Sequence, residues 1–173
     1  MNRFLLLLTL ICLLALSAQI KINIIPTIPL TLQTYAICMI LIFAPLELAS
    51  ISVCLYVVLG TLNIPVFAGG ASGINVLFGY TGGYILGFIL ASTLIYLIRN
   101  VKTLQLTKSN IFIYAIIIHI IIVACGFLQL GLLKNFTFSL YNGLLPLLLP
   151  ALIKSTIVLI TYQLYKKLRN YID

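Results

Sequence analysis

Long apolar stretches dominate this chain, and short polar or glycine-rich segments separate them. A helix needs about 20 mainly apolar residues to cross a bilayer. The stretches therefore predict six transmembrane helices, at residues 4–20, 30–43, 48–62, 82–98, 110–133 and 138–165. Short connections leave no room for a soluble domain, so we expect one transmembrane domain over residues 1–173, an all-α integral membrane protein.

The first stretch has a second interpretation. Small residues at 15–18 lie where a signal peptide could be cleaved. We favour a retained first helix, because further membrane segments follow it at once.

Glycines interrupt the pattern in one place. Eight of the eleven glycines lie between Gly60 and Gly87. Irregular backbone persists in a bilayer only where protein or a water-filled cavity surrounds it, so such a segment indicates a binding site. Close helix packing is the other interpretation, and Gly83, Gly87 and Ala91 form a small-residue ridge suited to it.

Composition supports the membrane assignment. Of 173 residues, 63% are hydrophobic and 7% are charged, whereas soluble domains contain about 25% charged residues. The formal net charge is +8, yet the basic residues lie at the ends of apolar stretches, so we expect no nucleic-acid partner. The four cysteines are isolated in sequence, and we expect no metal and no cofactor.

The distribution of basic residues predicts an orientation. With six spans and an inside N-terminus, seven basic residues face the cytoplasm: Arg3, Arg99, Lys102, Lys108, Lys166, Lys167 and Arg169. Only Lys21 and Lys134 then lie outside. The positive-inside rule favours this arrangement, with both termini cytoplasmic. The glycine-rich segment and the loop at residues 21–29 would form a pocket on the outer side.

One basic residue, Lys154, falls inside the sixth span. A lysine at that depth costs about 2.5–3.5 kcal/mol and normally faces a cavity with a partner. The only acidic residues are Glu47, on the opposite side of the membrane, and Asp173, the last residue. An anionic ligand would supply the missing charge; snorkelling to an interface or deprotonation are the alternatives.

Three other polar residues are candidates for binding. Gln33 begins the second span, where it could pack between helices or face a cavity. Asn75 has an amide suited to a urea or amide ligand, but it also suits a turn. His119 lacks the acidic partners that a proton relay would need, so we expect a hydrogen-bonded packing role.

Enzyme chemistry is not expected. Two carboxylates and one histidine offer no pair of nucleophile and base. There is no Walker A sequence, so this chain does not hydrolyse nucleotides itself.

Several motifs together resemble a known family. They are PLTLQT at 29–34, YVVLG at 56–60, PVFAGG at 65–70 and TGGY at 81–84 followed by Gly87-Phe88. They resemble the BioY family, the biotin-specific substrate-binding (S) components of energy-coupling factor (ECF) transporters. The resemblance is strongest from about residue 19 to residue 91.

The resemblance implies a six-helix S component in the bacterial cytoplasmic membrane that captures biotin from outside. It also implies a transmembrane coupling subunit and two ATPase subunits as partners, although some members act alone. The family's sixth helix has a PGDxxK-like or PGDxxxK-like signature, whose lysine Lys154 matches. Pro150-Ala151-Leu152 stands where glycine and aspartate are expected.

These arguments combine into one expected site. Lys154 would pair with the biotin carboxylate, and the ureido group would bind Asn75, Gln33 and backbone near Gly69 and Gly70. Three aromatic residues would wall the ring and chain: Tyr35, Phe67 and Tyr84. The loop at residues 21–29 would act as a lid. The alternatives are an S component for another vitamin and a membrane scaffold subunit that does not transport.

Overall fold

The computed structural model describes residues 2–22, 28–101 and 107–172, and these are mainly helical. The α-helices are α1 (Arg3–Gln19), α2 (Gln33–Phe43), α3 (Leu46–Thr61), α4 (Asn75–Phe78), α5 (Gly82–Val101), α6 (Lys108–Leu133), α7 (Phe136–Ser139) and α8 (Leu145–Ile172). A 3₁₀ turn covers Ala68–Gly70, and a π-helical turn at Leu140–Leu144 joins α7 to α8. Two short strands, β1 (Lys21–Ile22) and β2 (Leu30–Thr31), pair antiparallel.

Within the described residues, three helical segments are long and apolar enough to cross a membrane, namely Gly82–Asn100, Lys108–Leu133 and Phe136–Leu168. Helices α1, α2 and α3 are apolar but shorter. The all-α prediction is confirmed, apart from the two-residue strands.

The second helix begins at Gln33, three residues after the predicted start of that span at residue 30. Leu30 and Thr31 instead pair with β1, and Leu32 donates its backbone N–H to the carbonyl of Ile20. This strand pairing accounts for the difference, because it holds the backbone of Leu30 and Thr31 extended.

A proline also separates α2 from α3. Ala44 has extended backbone just before Pro45, as the ring of a following proline requires. The Arg99 guanidinium, at the end of α5, donates to the carbonyl of Leu41 at 2.6 Å. It thereby satisfies a C-terminal carbonyl of α2 that has no partner within its own helix.

The small-residue ridge of α5 packs closely against α6. A Cβ at Gly87 would lie 2.8 Å from the Ile122 Cα, and one at Gly83 would overlap the Cys125 carbonyl. Ala91 on the same ridge is fully buried. The predicted close approach of two helix backbones is confirmed, and it sets the position of every side chain that α5 and α6 contribute to the centre of the bundle.

Other glycines of the glycine-rich segment are required by the backbone conformation. Gly69, Gly70 and Gly73 have φ angles of 70°, 77° and 93°, which side chains rarely adopt. The N–H of Gly73 donates to the carbonyl of Gly60 at 2.7 Å, which folds the segment back onto the end of α3. Close helix packing therefore explains Gly83 and Gly87. Irregular backbone explains Gly69, Gly70 and Gly73.

Candidate ligand-binding site

A cavity of about 270 Å³ lies where α2, α5, α6 and α8 meet the glycine-rich segment. Its wall is mostly apolar, as is usual for small-molecule sites. The polar side chains that line it are those of Thr31, Gln33, Thr34, Thr81, Tyr84, His119 and Lys154.

Lys154 contributes the charge of this cavity. Its ammonium donates to the carbonyl oxygen of Thr31 at 2.6 Å and to the hydroxyl of Thr34 at 2.9 Å. Both partners are uncharged, and an ammonium has three donors. Across residues 2–22, 28–101 and 107–172, no carboxylate pairs with Lys154; Glu47 is exposed in the first turn of α3.

Gln33 and Phe67 are held in place by a connected set of contacts through Tyr56. The Gln33 amide donates to the Tyr56 hydroxyl at 2.7 Å, and that hydroxyl donates to the carbonyl of Val66 at 2.9 Å. The Tyr56 and Phe67 rings pack edge to face, with centroids 5.7 Å apart. Phe67 also packs over Gly60, where any side chain would overlap its ring. These contacts hold the Gln33 amide and the Phe67 ring in place at one end of the cavity.

Tyr84 forms a second aromatic wall. Its hydroxyl donates to the carbonyl of Gly143 at 2.8 Å, within the π-helical turn that precedes α8. Its ring packs on Gly126 of α6, where a Cβ would overlap it. The side chain therefore ties α5 to α6 and to the start of α8.

His119 is buried and hydrogen-bonded between helices, as predicted, and it also forms part of the cavity wall. Its Nδ1 lies 2.8 Å from the Ala115 carbonyl, 3.1 Å from the Ser155 hydroxyl and 3.6 Å from the Cys38 sulfur. Its place in the cavity wall was not predictable from the sequence, because its partners come from three separate helices. A lone histidine at the middle of an apolar span was the only available signal.

Four of the predicted site residues lie elsewhere. Asn75 is exposed at the start of α4, and its neighbour Val76 lines the cavity instead. Gly69 and Gly70 are exposed in the 3₁₀ turn, which presents the residues on either side of them to the cavity. The hydroxyl of Tyr35 pairs with the Thr161 hydroxyl at 3.0 Å, and Tyr35 does not line the cavity. Lys154, Gln33, Phe67 and Tyr84 are the predicted residues that the structure brings together.

The segment before Lys154 presents a small residue to the cavity. Ala151 lines it, whereas Leu152 is 49% exposed on the outer surface of the bundle. The two positions differ by about 100° around α8, and Ala151 is the one that faces the cavity. Of the two residues at which the resemblance implies an aspartate, the one that lines the cavity carries only a methyl group.

The predicted lid is only partly within the described residues. Ile28 and Pro29 line the cavity, and residues 23–27 lie outside the described residues. The strand pair holds the two described ends of this loop together, with Lys21 opposite Thr31 and Ile22 opposite Leu30.

Comparisons with known proteins agree on one family. The family model described as the BioY family matches residues 1–171. The biotin transporter BioY2 of Lactococcus lactis is 34% identical over 135 residues, covering 77% of this chain and 73% of that protein. The probable biotin transporter BioY of Pyrococcus horikoshii is 34% identical over 157 residues, covering 89% of this chain and 90% of that protein.

A solved structure shows the same fold. The crystal structure of the S-component for biotin from an ECF-type ABC transporter matches with a TM-score of 0.80 at 20% identity. The match covers 96% of this chain and 91% of that one. Given a family match over nearly the whole chain, relatives above 30% identity and the S-component fold, this chain belongs to the BioY family.

Proposed function

We propose that this protein is a biotin-binding S component that captures biotin from outside the cell and delivers it across the cytoplasmic membrane. The observation that carries the proposal is Lys154, a cation in a mostly apolar cavity whose hydrogen-bond partners are both uncharged. The relatives named as biotin transporters indicate which small anion to expect.

Biotin matches the chemistry of this cavity. Its carboxylate would accept a charge-assisted hydrogen bond from Lys154, which is roughly twice as strong as a neutral one. Its ring and aliphatic chain would contact apolar surface and the rings of Phe67 and Tyr84. The amide of Gln33 offers a further polar contact at the same end of the cavity as Thr31 and Thr34.

The orientation in the membrane is part of the proposal. Six spans with both termini in the cytoplasm would put the excess of Lys and Arg inside. The cavity would then open toward the outside, because Gln33 begins α2 and Tyr84 lies in the first turn of α5. That position suits capture of a vitamin that arrives from outside.

Transport would use partner proteins. We propose that a transmembrane coupling subunit and two ATPase subunits energise release of biotin into the cytoplasm, and that ATP hydrolysis occurs on those subunits. The exposed apolar surface of α1, which includes Phe4, Leu13 and Leu16, is large enough to contact lipid or a membrane partner.

Competition binding tests the ligand. Purified protein would be loaded with radiolabelled biotin and challenged with unlabelled biotin, thiamine or riboflavin. We expect saturable binding that biotin displaces and the other two vitamins do not. Displacement by thiamine or riboflavin instead would indicate an S component for another vitamin, and the absence of saturable binding to any of the three would favour a scaffold role.

A further inference from the structure

His119 has a buried nitrogen that the fold does not use. The side chain is 3% exposed and lines the cavity. Its Nδ1 has three polar neighbours, whereas its Nε2 has no hydrogen-bond partner within the described parts of the chain. A buried polar atom without a partner destabilises the fold, so a group that binds in the cavity is the natural candidate to satisfy it.

The neighbours of Nδ1 determine what Nε2 can bind. The carbonyl of Ala115 can only accept, so Nδ1 carries the proton that it donates across 2.8 Å. The Ser155 hydroxyl donates to the carbonyl of Ala151, and the Cys38 thiol has the Ala115 carbonyl as its acceptor. Neither therefore has to donate to Nδ1. In this tautomer of the neutral ring, Nε2 is a bare acceptor.

The neutral ring also fits the charges around it. Lys154 already puts one positive charge in the cavity. A second cation there would be unpaired, because the described lining residues include no carboxylate. A hydrogen-bond donor of the ligand would therefore satisfy Nε2, whereas an anionic or acceptor-only group would not.

His119 and Lys154 act at different depths. The Lys154 ammonium is bound at Thr34, whereas His119 contacts Cys38, one helical turn further along α2. Four residues of helix correspond to about 6 Å. A ligand with an anionic group near Thr34 would therefore reach His119 with a group that lies deeper by about this distance.

We propose that His119 Nε2 accepts a hydrogen bond from an N–H group of the ligand, and that it fixes the ligand with its N–H end innermost and its carboxylate toward Lys154. The inference rests on the proposed function, under which the donor is a ureido N–H of biotin. Ala151 lines the cavity with a methyl group one helical turn before Ser155 on α8, so among the described lining residues His119, which contacts Ser155, is the acceptor in this part of the wall.

Two sets of variants and ligands test this proposal. The variants are His119→Gln, His119→Asn and His119→Phe; the Gln oxygen lies near the position of Nε2, whereas the Asn amide reaches only as far as Nδ1. The ligands are biotin and two cyclic carbamates, in each of which one ureido N–H is replaced by oxygen. Affinities would be measured by calorimetric titration, and melting temperatures would show which variants are folded.

We expect His119→Asn and His119→Phe to weaken biotin binding roughly tenfold or more, and His119→Gln to stay within about threefold of the wild type. One carbamate should bind the wild type at least about tenfold more weakly than biotin and lose no further affinity in His119→Phe. If His119→Phe fails to fold, the difference between the Asn and Gln variants decides.

Equal loss of affinity for biotin and both carbamates in the variants would overturn the proposal, because it indicates a packing role. Unchanged affinity for biotin in folded His119→Asn would also overturn it. Failure of the wild type to bind biotin at all would instead refute the proposed function and remove the ureido donor with it.

Discussion

At the scale of single residues, the cavity is defined by which side chains face inward on each helix. Lys154 and Ala151 lie three residues apart on α8, so both can face the ligand. The intervening residues Leu152 and Ile153 are 49% and 50% exposed on the outer surface. Each position on this helix therefore has a distinct expected effect on binding.

Ala151→Leu should lower biotin affinity roughly tenfold or more, because the larger side chain would occupy cavity volume beside Lys154. Leu152→Ala is the matched control on the outer surface and should leave affinity within about twofold. Calorimetric titration of both variants measures the difference. Equal effects of the two substitutions would show that this part of α8 is oriented differently.

Of the residues predicted to line the site, the charged one was easier to recognise in the sequence than the neutral ones. Lys154 was predictable because an unpaired lysine inside a span requires an explanation. Gln33, Phe67 and Tyr84 were also predicted, and the structure brings them to the cavity. Asn75 was not distinguishable from a turn residue, since the direction of its side chain depends on how α4 packs.

At the scale of elements, the packing of α5 on α6 holds two walls of the cavity in place. Tyr84 and Phe88 from α5 and Ile122 and Val123 from α6 all line the cavity. The two helices approach closely because Gly83 and Gly87 have no side chain. The four-residue spacing of small residues made this contact predictable from the sequence, but not which helix would be the partner.

Gly87→Ala should destabilise the protein, because the added Cβ would lie 2.8 Å from the Ile122 Cα and force the helices apart. We expect a loss of about 1–3 kcal/mol, as for overpacked cores. Thr93→Ala is the matched control, since Thr93 is exposed on the same helix. Thermal unfolding in detergent compares the two, and a Gly87→Ala protein as stable as the control would contradict the close packing.

Element boundaries were less predictable than element identity. Helix α2 starts later than predicted because Leu30 and Thr31 pair with the strand Lys21–Ile22, which begins nine residues earlier in the chain. The π-helical turn at Leu140–Leu144 was also not foreseen. The Tyr84 hydroxyl of α5 donates to a carbonyl within the turn, a contact between elements that are distant in the sequence.

At the scale of the whole molecule, the fold and the family are shown by the match to an S-component structure and to the BioY family model. The direction in which the cavity opens remains a proposal, based on the distribution of Lys and Arg. It matters for function, because capture from outside requires the cavity mouth to face that side.

Cysteine labelling in intact cells tests the orientation. In a protein whose four native cysteines are replaced by alanine, Thr137→Cys should react with a membrane-impermeant maleimide added outside. Lys166→Cys should react only after the cells are permeabilised. The reverse pattern would place the cavity mouth on the cytoplasmic side and contradict the proposal that the protein captures biotin from outside.

In the proposed site Lys154 binds the carboxylate of biotin, and calorimetric titration with biotin and with biotin methyl ester measures this pairing. Wild-type protein would be compared with Lys154→Met and with Lys166→Met, an exposed lysine on the same helix. We expect the wild type and Lys166→Met to prefer biotin over the ester by roughly tenfold or more, and Lys154→Met to lose that preference. A folded Lys154→Met protein that still prefers biotin over its ester by the same factor would contradict the account.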